Sequence, residues 1–149
     1  MKIEDVLKQK KPFLNSFQKV IVNLLYTNSW LSAKQKEFFD QYNLTVKQYN
    51  ILRILRGAGK PISTAVIRDR MMDKMSDASR IVDRLHKKGL VDKNSCDHDQ
   101  RKVNVSINME SSKLLTEIDD QMGAFLSSFC GLNKNEAEHL SSLLDKMRI

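Results

Sequence analysis

The sequence predicts a mainly α-helical protein with a small β-hairpin. Apolar residues recur every three or four positions through most of its 149 residues, which is the period of an amphipathic helix. Five glycines and two prolines are too few for the many tight turns of an all-β fold. One run, residues 102–108, instead alternates between apolar and polar side chains, as a half-buried strand does.

Two helices are expected before residue 44. The first covers residues 13–27 and the second about 31–41, and each has apolar side chains at helical spacing. The first stripe consists of Phe13, Phe17, Val20, Ile21, Leu24 and Leu25, and the second of Leu31, Phe38 and Phe39.

The next helix has signals for both its start and its end. Thr45 and Gln48 form a capping box, and Leu44 and Tyr49 occupy the positions of a hydrophobic staple. The Gly-Ala-Gly run at residues 57–59 is expected to end the helix.

Two short helices joined by a tight turn follow, which is a helix-turn-helix. The first is expected over residues 63–72, with Val66, Ile67 and Met71 turned inward. The second starts with Ser76 or a neighbour as its cap and ends at residues 87–89, where Lys-Lys-Gly suits a helix C-terminus. Its expected buried stripe is Ala78, Ile81, Val82 and Leu85.

A β-hairpin is predicted directly after this pair. The chain resumes an extended run at residues 90–91, and the alternating run 102–108 forms the second strand. The polar residues 94–101 between them have the length of a hairpin loop. A helix-turn-helix followed by a hairpin is a winged helix, and we expect it to occupy residues 45–108.

The chain then continues into two long amphipathic helices, over residues 109–130 and about 134–147, with Asn108 as the first N-cap. Their apolar residues are Leu114, Leu115, Ile118, Met122, Phe125, Leu126 and Phe129, then Ala137, Leu140, Leu143, Leu144 and Met147. Residues 1–44 and 109–149 are expected to form a helical dimerisation region, because their stripes exceed what the winged helix covers. The alternative is packing on their own chain.

The net charge of +7 is concentrated in the middle of the chain. Residues 45–110 carry 14 basic and 8 acidic side chains, whereas residues 111–149 carry 4 and 6. This distribution indicates a polyanion-binding module between helices with another role. A basic surface that only aids solubility would fit the charge as well.

No catalytic or metal-binding motif is present. The sequence contains no Gly-rich phosphate loop or nucleophile elbow, and its three histidines match no metal-ligand spacing. Cys96 and Cys130 form no C-x-x-C pair and are expected to be reduced thiols. Without a membrane span or secretory signal, we expect a cytoplasmic protein that is not an enzyme and binds no cofactor or metal.

Two stretches carry a family resemblance. The recognition-helix segment 76–85 runs through Lys-Lys-Gly-Leu-Val at residues 87–91 into the hairpin. Asp99, Arg101, Val105 and Ile107 then match a wing signature D-x-R-x-x-x-V-x-L. Together, residues 63–108 resemble the MarR family of bacterial winged-helix transcriptional regulators.

The resemblance implies a homodimeric repressor that binds an inverted-repeat DNA operator and is released by a small aromatic or anionic effector. Two positions depart from the family pattern L-T-x-x-G, since Asn108 stands for its Thr and Ser111 for its Gly. Asparagine caps a helix as well as threonine does, so the fold is expected to hold.

The recognition helix is expected to enter the major groove of double-stranded DNA. Its candidate contacts are Ser76, Asp77, Ser79, Arg80 and Arg84. Arg80 is expected to pair with guanine through two hydrogen bonds. Asp77 either accepts a hydrogen bond from cytosine or serves only as a first-turn partner of the helix dipole.

In the wing, Arg101 is expected to lie in the minor groove, held by Asp99. The alternative is a solvated salt bridge at the hairpin tip. Lys93 and Lys102 are expected to contact phosphates, which gives affinity without sequence information.

Two further hypotheses concern regulation. Tyr26, Trp30 and Tyr49 are candidate effector contacts near the junction of the two regions, with ordinary packing as the alternative. A thiol redox switch at Cys96 in the wing would be a different mechanism. A third hypothesis, which does not concern regulation, is that the protein binds DNA without sequence preference.

Overall fold

In a computed structural model, seven helices surround one three-stranded sheet within the described residues. The backbone is described for residues 1–96, 99–129 and 131–148, and the side chains for the same ranges without residues 96, 99–101 and 129. The elements are α1 Ile3–Val6, α2 Ser16–Asp40, α3 Val46–Ala58, β1 Ile62–Ser63, α4 Thr64–Arg70, α5 Ala78–Lys87, β2 Val91–Cys96, β3 Asp99–Ile107, α6 Met109–Phe129 and α7 Lys134–Met147.

The N-terminal region contains one long helix where the sequence predicted two. Helix α2 runs without a break for 25 residues, so the separate helices over 13–27 and 31–41 were wrong. Residues 28–30 are weak helix formers, but they include no glycine or proline that would interrupt the backbone hydrogen bonds. The helix starts after Asn15, whose side chain accepts a hydrogen bond from the Gln18 N–H at 2.9 Å.

Helix α3 confirms the predicted capping signals. Thr45 and Gln48 form both hydrogen bonds of the capping box, and the two staple residues Leu44 and Tyr49 are buried. The helix ends at Gly59, whose positive φ of 64° is a conformation that glycine adopts without strain.

Helices α4 and α5 confirm the predicted helix-turn-helix. Ser63 caps α4, and Asp77 caps α5, which selects the neighbour of Ser76 as the cap. Met71 is buried although it lies just beyond the end of α4. The inward side of α5 is the predicted one, with Ala78, Val82 and Leu85 buried.

The hairpin is confirmed, but its strands extend further than predicted. Strands β2 and β3 are antiparallel and pair from Val91 with Ile107 to Cys96 with Asp99. Most of the expected loop 94–101 is therefore strand. The short strand β1 was not predicted, because two residues are too few for a period; it joins the other edge of β3 through Ile62 and Val105.

Asn108 connects the sheet to the C-terminal helices. Its Oδ1 accepts from the Ser111 N–H at 3.0 Å, while the Ser111 Oγ accepts from the Asn108 N–H at 3.1 Å. The Asn108 Nδ2 also donates to the Gly89 carbonyl at 2.7 Å. The predicted cap is confirmed, and it holds the start of α6 against the turn that follows α5.

One core joins α2, α3, the winged helix and the first half of α6. Its central side chains are fully buried, among them Ile51, Leu52, Ile67, Leu85, Val105, Leu115 and Ile118. The outer parts of α2 and α6 and all of α7 lie outside this core and leave apolar side chains exposed: Phe17, Val20, Ile21, Leu25, Leu126, Leu140, Leu143 and Met147. No helix in the described ranges is long and apolar enough to span a membrane.

Candidate nucleic-acid interface

The recognition helix α5 presents polar and basic side chains opposite its buried side. Ser79, Arg80 and Arg84 are exposed, while Ala78, Val82 and Leu85 of the same helix are buried in the core. A helix with one buried and one polar, cationic side can enter the major groove of DNA without being displaced from its own domain.

Ser76 differs from the expectation of an exposed contact. Its side chain is buried, and its hydroxyl donates a hydrogen bond of 2.8 Å to Asp73. Direct contact between Ser76 and DNA stays a prediction. A hydroxyl just before a helix can bond within its own turn, and only the folded turn shows which partner it selects.

Asp77 serves the helix itself. Its carboxylate accepts a hydrogen bond from the Arg80 N–H at 3.1 Å and so satisfies one of the free donors at the start of α5. Of the two roles that the sequence left open for Asp77, this geometry corresponds to the one at the first turn of the helix. Hydrogen bonding to cytosine stays a prediction.

Asp73 organises the turn between the two helices. Its carboxylate accepts from the Met75 N–H at 3.0 Å and from the Ser76 hydroxyl, and it pairs with Lys47 of α3 at 2.9 Å. The hydrogen bond from Lys47, then those from Ser76 and Met75, lower the pKa of Asp73 to about 2. The start of the recognition helix is thus attached to α3 by a carboxylate that stays charged.

Lys93, an expected phosphate contact, forms an ion pair within the protein. Its ammonium group on β2 donates to Asp83 of α5 at 2.6 Å, and this hydrogen bond lowers the pKa of Asp83. The pair braces the wing against the recognition helix. Lys102 on β3 is exposed. Phosphate contacts by Lys93 and Lys102 stay predictions.

The tip of the wing lies partly outside the described residues. The backbone of Asp99 and Arg101 belongs to β3, which places both at the tip end of the hairpin. Their side chains, and that of Cys96, lie outside the described residues. The minor-groove role of Arg101, its pairing with Asp99 and the redox role of Cys96 stay predictions.

A cleft of about 440 Å³ lies beside α3, between it and the helices α2 and α6. Its residues are Gln35, Phe39, Val46, Tyr49, Asn50, Arg53, Arg56, Met72, Asp119, Met122, Phe125 and Leu126. Of the three predicted effector contacts, Tyr49 lies here. Tyr26 lies instead in a separate hollow beside α1, and Trp30 lines neither of these two spaces. The structure therefore does not bring the three aromatic residues together.

Two arginines of the cleft have different partners. Arg56 donates to both carboxylate oxygens of Asp119, at 2.6 and 3.2 Å, which lowers the pKa of Asp119 and raises that of Arg56. Arg53 lies 5.9 Å from the centre of the Tyr49 ring, and no carboxylate of the described residues pairs with it. The cleft thus combines aromatic walls with two arginines and one carboxylate.

Sequence reasoning missed Arg53, Arg56 and the Lys47–Asp73 pair. Tyr49, Arg53 and Arg56 recur at spacings of four and three, so their common side of α3 was readable from the sequence. The Lys47–Asp73 pair had no such signal, because its members are far apart in the chain.

Comparisons with known proteins agree with this geometry. The model of the MarR family matches residues 42–102. The HTH-type transcriptional regulator PecS of Dickeya dadantii (strain 3937) is 25% identical over 157 residues, covering 99% of this chain and 93% of PecS.

Two solved structures have the same fold over almost the whole chain. A MarR transcription factor from Planctomyces limnophilus is 28% identical with a TM-score of 0.71, covering 91% of this chain and 98% of its own. BpsR of Bordetella bronchiseptica, whose DNA binding is regulated by 6-hydroxynicotinic acid, is 25% identical with a TM-score of 0.77, covering 92% and 97%.

The Asp73 turn makes a prediction about pH. Because the pKa of Asp73 is depressed below its ordinary value of 3.8 to about 2, its stabilising effect is present above pH 4 and is lost as the pH falls towards 2. Asp73→Asn is expected to lower the denaturation midpoint at pH 7 and to match the wild type near pH 2. The measurement is urea denaturation across this range, with Asp40→Asn, which removes the exposed Lys36 pair on α2, as the control. If Asp73→Asn lowers the denaturation midpoint by the same amount at every pH, this role of Asp73 is contradicted.

Proposed function

We propose that this chain, which belongs to the MarR family of winged-helix transcriptional regulators, acts as a homodimeric repressor on an inverted-repeat operator. Proteins of this family are DNA-binding regulators and not enzymes. The observation that carries the proposal is the exposed side of α5, where Arg80 and Arg84 lie opposite a fully buried stripe.

Base reading is assigned to the first half of α5. Ser79 and Arg80 follow the cap, and the N-terminal residues of a recognition helix are those that contact base edges. The Arg80 guanidinium can donate two hydrogen bonds to guanine, whereas Arg84 and Lys102 supply charge towards phosphates. Arg101 is proposed to enter the minor groove beside the half-site, with Asp99 orienting it.

The homodimer is supported by the apolar residues that α2, α6 and α7 leave in water. Leu140, Leu143 and Met147 of α7 form one stripe at helical spacing, and each is about half exposed. Phe17 and Leu25 add apolar surface at the other end of the chain. Exposed apolar surface of this extent is typical of a subunit interface, and two-fold symmetry would align two recognition helices with two half-sites.

Release by a small aromatic anion is supported by the cleft beside α3. Phe39, Tyr49 and Phe125 provide aromatic walls, and Arg53 provides a cation without a carboxylate partner among the described residues. Ligand pockets commonly combine apolar walls with a few polar groups that set orientation. Because the cleft lies between the dimerisation helices and the winged helix, an occupant would influence their relative position.

The dimer is tested by measuring the mass of the protein in solution and by introducing one charge on α7. Light scattering at micromolar concentration is expected to give twice the chain mass of 17.2 kDa. Leu143→Glu is expected to shift the mass towards a single chain, because two-fold symmetry places the charge in the interface twice. Ser142→Glu, which faces away from the α7 stripe, is the control and should stay dimeric. A single-chain mass for the wild type would contradict the proposal.

Alanine variants of Arg80 and Arg101 are expected to weaken DNA binding in different ways. Arg80→Ala should lose about 1–3 kcal/mol of binding on an operator selected from random DNA and relax the preference at one base position. Arg101→Ala should weaken binding most on duplexes with A·T-rich flanks. It should also reduce the slope of log affinity against log salt concentration by up to about one, the effect of one lost phosphate contact. The measurement is a titration at several salt concentrations on A·T- and G·C-flanked duplexes. Equal affinity of the wild type for the selected and random DNA would instead indicate a sequence-indifferent binder.

The cleft is tested with a matched pair of probes. 6-Hydroxynicotinic acid is expected to raise the melting temperature and weaken operator binding, and its uncharged amide is expected to do neither. Arg53→Gln should reduce the affinity for the acid by about tenfold or more, because a charge-assisted hydrogen bond contributes roughly 1.5–3 kcal/mol. If Arg53→Gln binds the acid as the wild type does, Arg53 is not the anion contact.

A further inference from the structure

Two methionines of the turn between α4 and α5 are almost fully exposed. Met72 is 90% and Met75 is 93% exposed, although the turn is anchored by buried Met71 on one side and Ser76 on the other. They lie on different surfaces. Met72 lines the cleft beside α3, whereas Met75 lines a shallow groove between α4 and the start of α5.

The Met75 groove belongs to the proposed DNA-binding side. It has a volume of about 260 Å³ and is formed by Thr64, Ala65, Arg68, Met75, Ser76, Asp77, Ala78 and Ser79. Arg68 at its edge and Ser79 beyond the cap are both exposed, and Arg80 follows directly. The backbone of Met75 is held by the hydrogen bond from its N–H to Asp73, so the turn fixes the point at which the side chain leaves the backbone.

The polar residues beside Met75 have other partners. Ser76 is buried against Asp73, and the Asp77 carboxylate caps α5. The side chains that extend freely from the start of the helix are therefore Met75, Ser79 and Arg80. Two of these can read base edges by hydrogen bonds, and the third is apolar.

The major groove of DNA presents one apolar group, the C5 methyl of thymine. Methionine is unbranched and flexible, so it can adapt to a methyl group at the end of its reach. We propose that Met75 contacts a thymine methyl in each operator half-site and so makes the protein specific for thymine at that position. This inference rests on the proposed operator binding through α5 and adds an apolar contact to it.

The experiment removes the methyl group and the side chain separately. An operator is first selected from random duplexes with the wild-type protein, and each thymine is then replaced by deoxyuridine, which lacks only the C5 methyl. At one thymine of each half-site, the replacement is expected to lower the affinity of the wild type about fourfold. This factor corresponds to the free energy of burying one carbon group. Met75→Ala is expected to show no loss at that same thymine, and its salt slope should equal that of the wild type because no charge is removed.

Met72→Ala is the matched control, because it removes an equally exposed methionine three residues away on the cleft side. It should keep the full sensitivity to deoxyuridine. If no thymine is sensitive in the wild type, or if Met75→Ala keeps the sensitivity, the methyl contact is refuted while operator binding stands. If the selection yields no preferred duplex, the proposed function itself fails and this inference fails with it.

Discussion

Stacked aromatic rings lie where α2, α3 and α6 meet, within the core that the terminal helices share with the winged helix. Phe39 of α2 stacks on Tyr49 of α3 with ring centres 4.2 Å apart, and Phe38 stacks on Phe125 of α6 at 4.1 Å. Such pairs contribute about 0.5–1.5 kcal/mol each beyond the burial of their area. The Phe39–Tyr49 pair connects α2 to the winged helix, and the Phe38–Phe125 pair connects α2 to α6. Three of these rings, Phe39, Tyr49 and Phe125, also line the cleft.

Several polar residues near the recognition helix make contacts within the protein that position it. Asp73 ties the turn to Lys47, Asp77 caps the helix, and the Lys93–Asp83 pair braces the wing. Exposed ion pairs contribute little to stability, but these hold separate elements in one relative orientation. A surface that discriminates between bases has to be held in a fixed geometry by supporting contacts, and these residues supply such contacts.

The sequence predicted the winged helix well and the long N-terminal helix poorly. Caps at Thr45 and Asn108 and the glycine stop at Gly59 are local signals, and each was confirmed. The break expected before residue 31 did not occur, because weak helix formers do not end a helix whose C-terminal turn is buried through Phe38 and Phe39. Among the site residues, helical period predicted the exposed side of α5 with Arg80 and Arg84, whereas the bonds of Ser76 to Asp73 and of Lys93 to Asp83 appear only in the folded chain.

The sequence by itself determined the order and type of most elements, the buried side of each helix and the basic character of the middle segment. These properties depend on spacing and composition, which are local. Only the tertiary structure decided which charges are free, because pairs such as Arg56 with Asp119 join residues 63 positions apart. It also separated Met72 from Met75 and placed Tyr49, but not Tyr26, in the cleft. A side chain's partners depend on how the elements pack, and spacing along the chain carries no record of that packing.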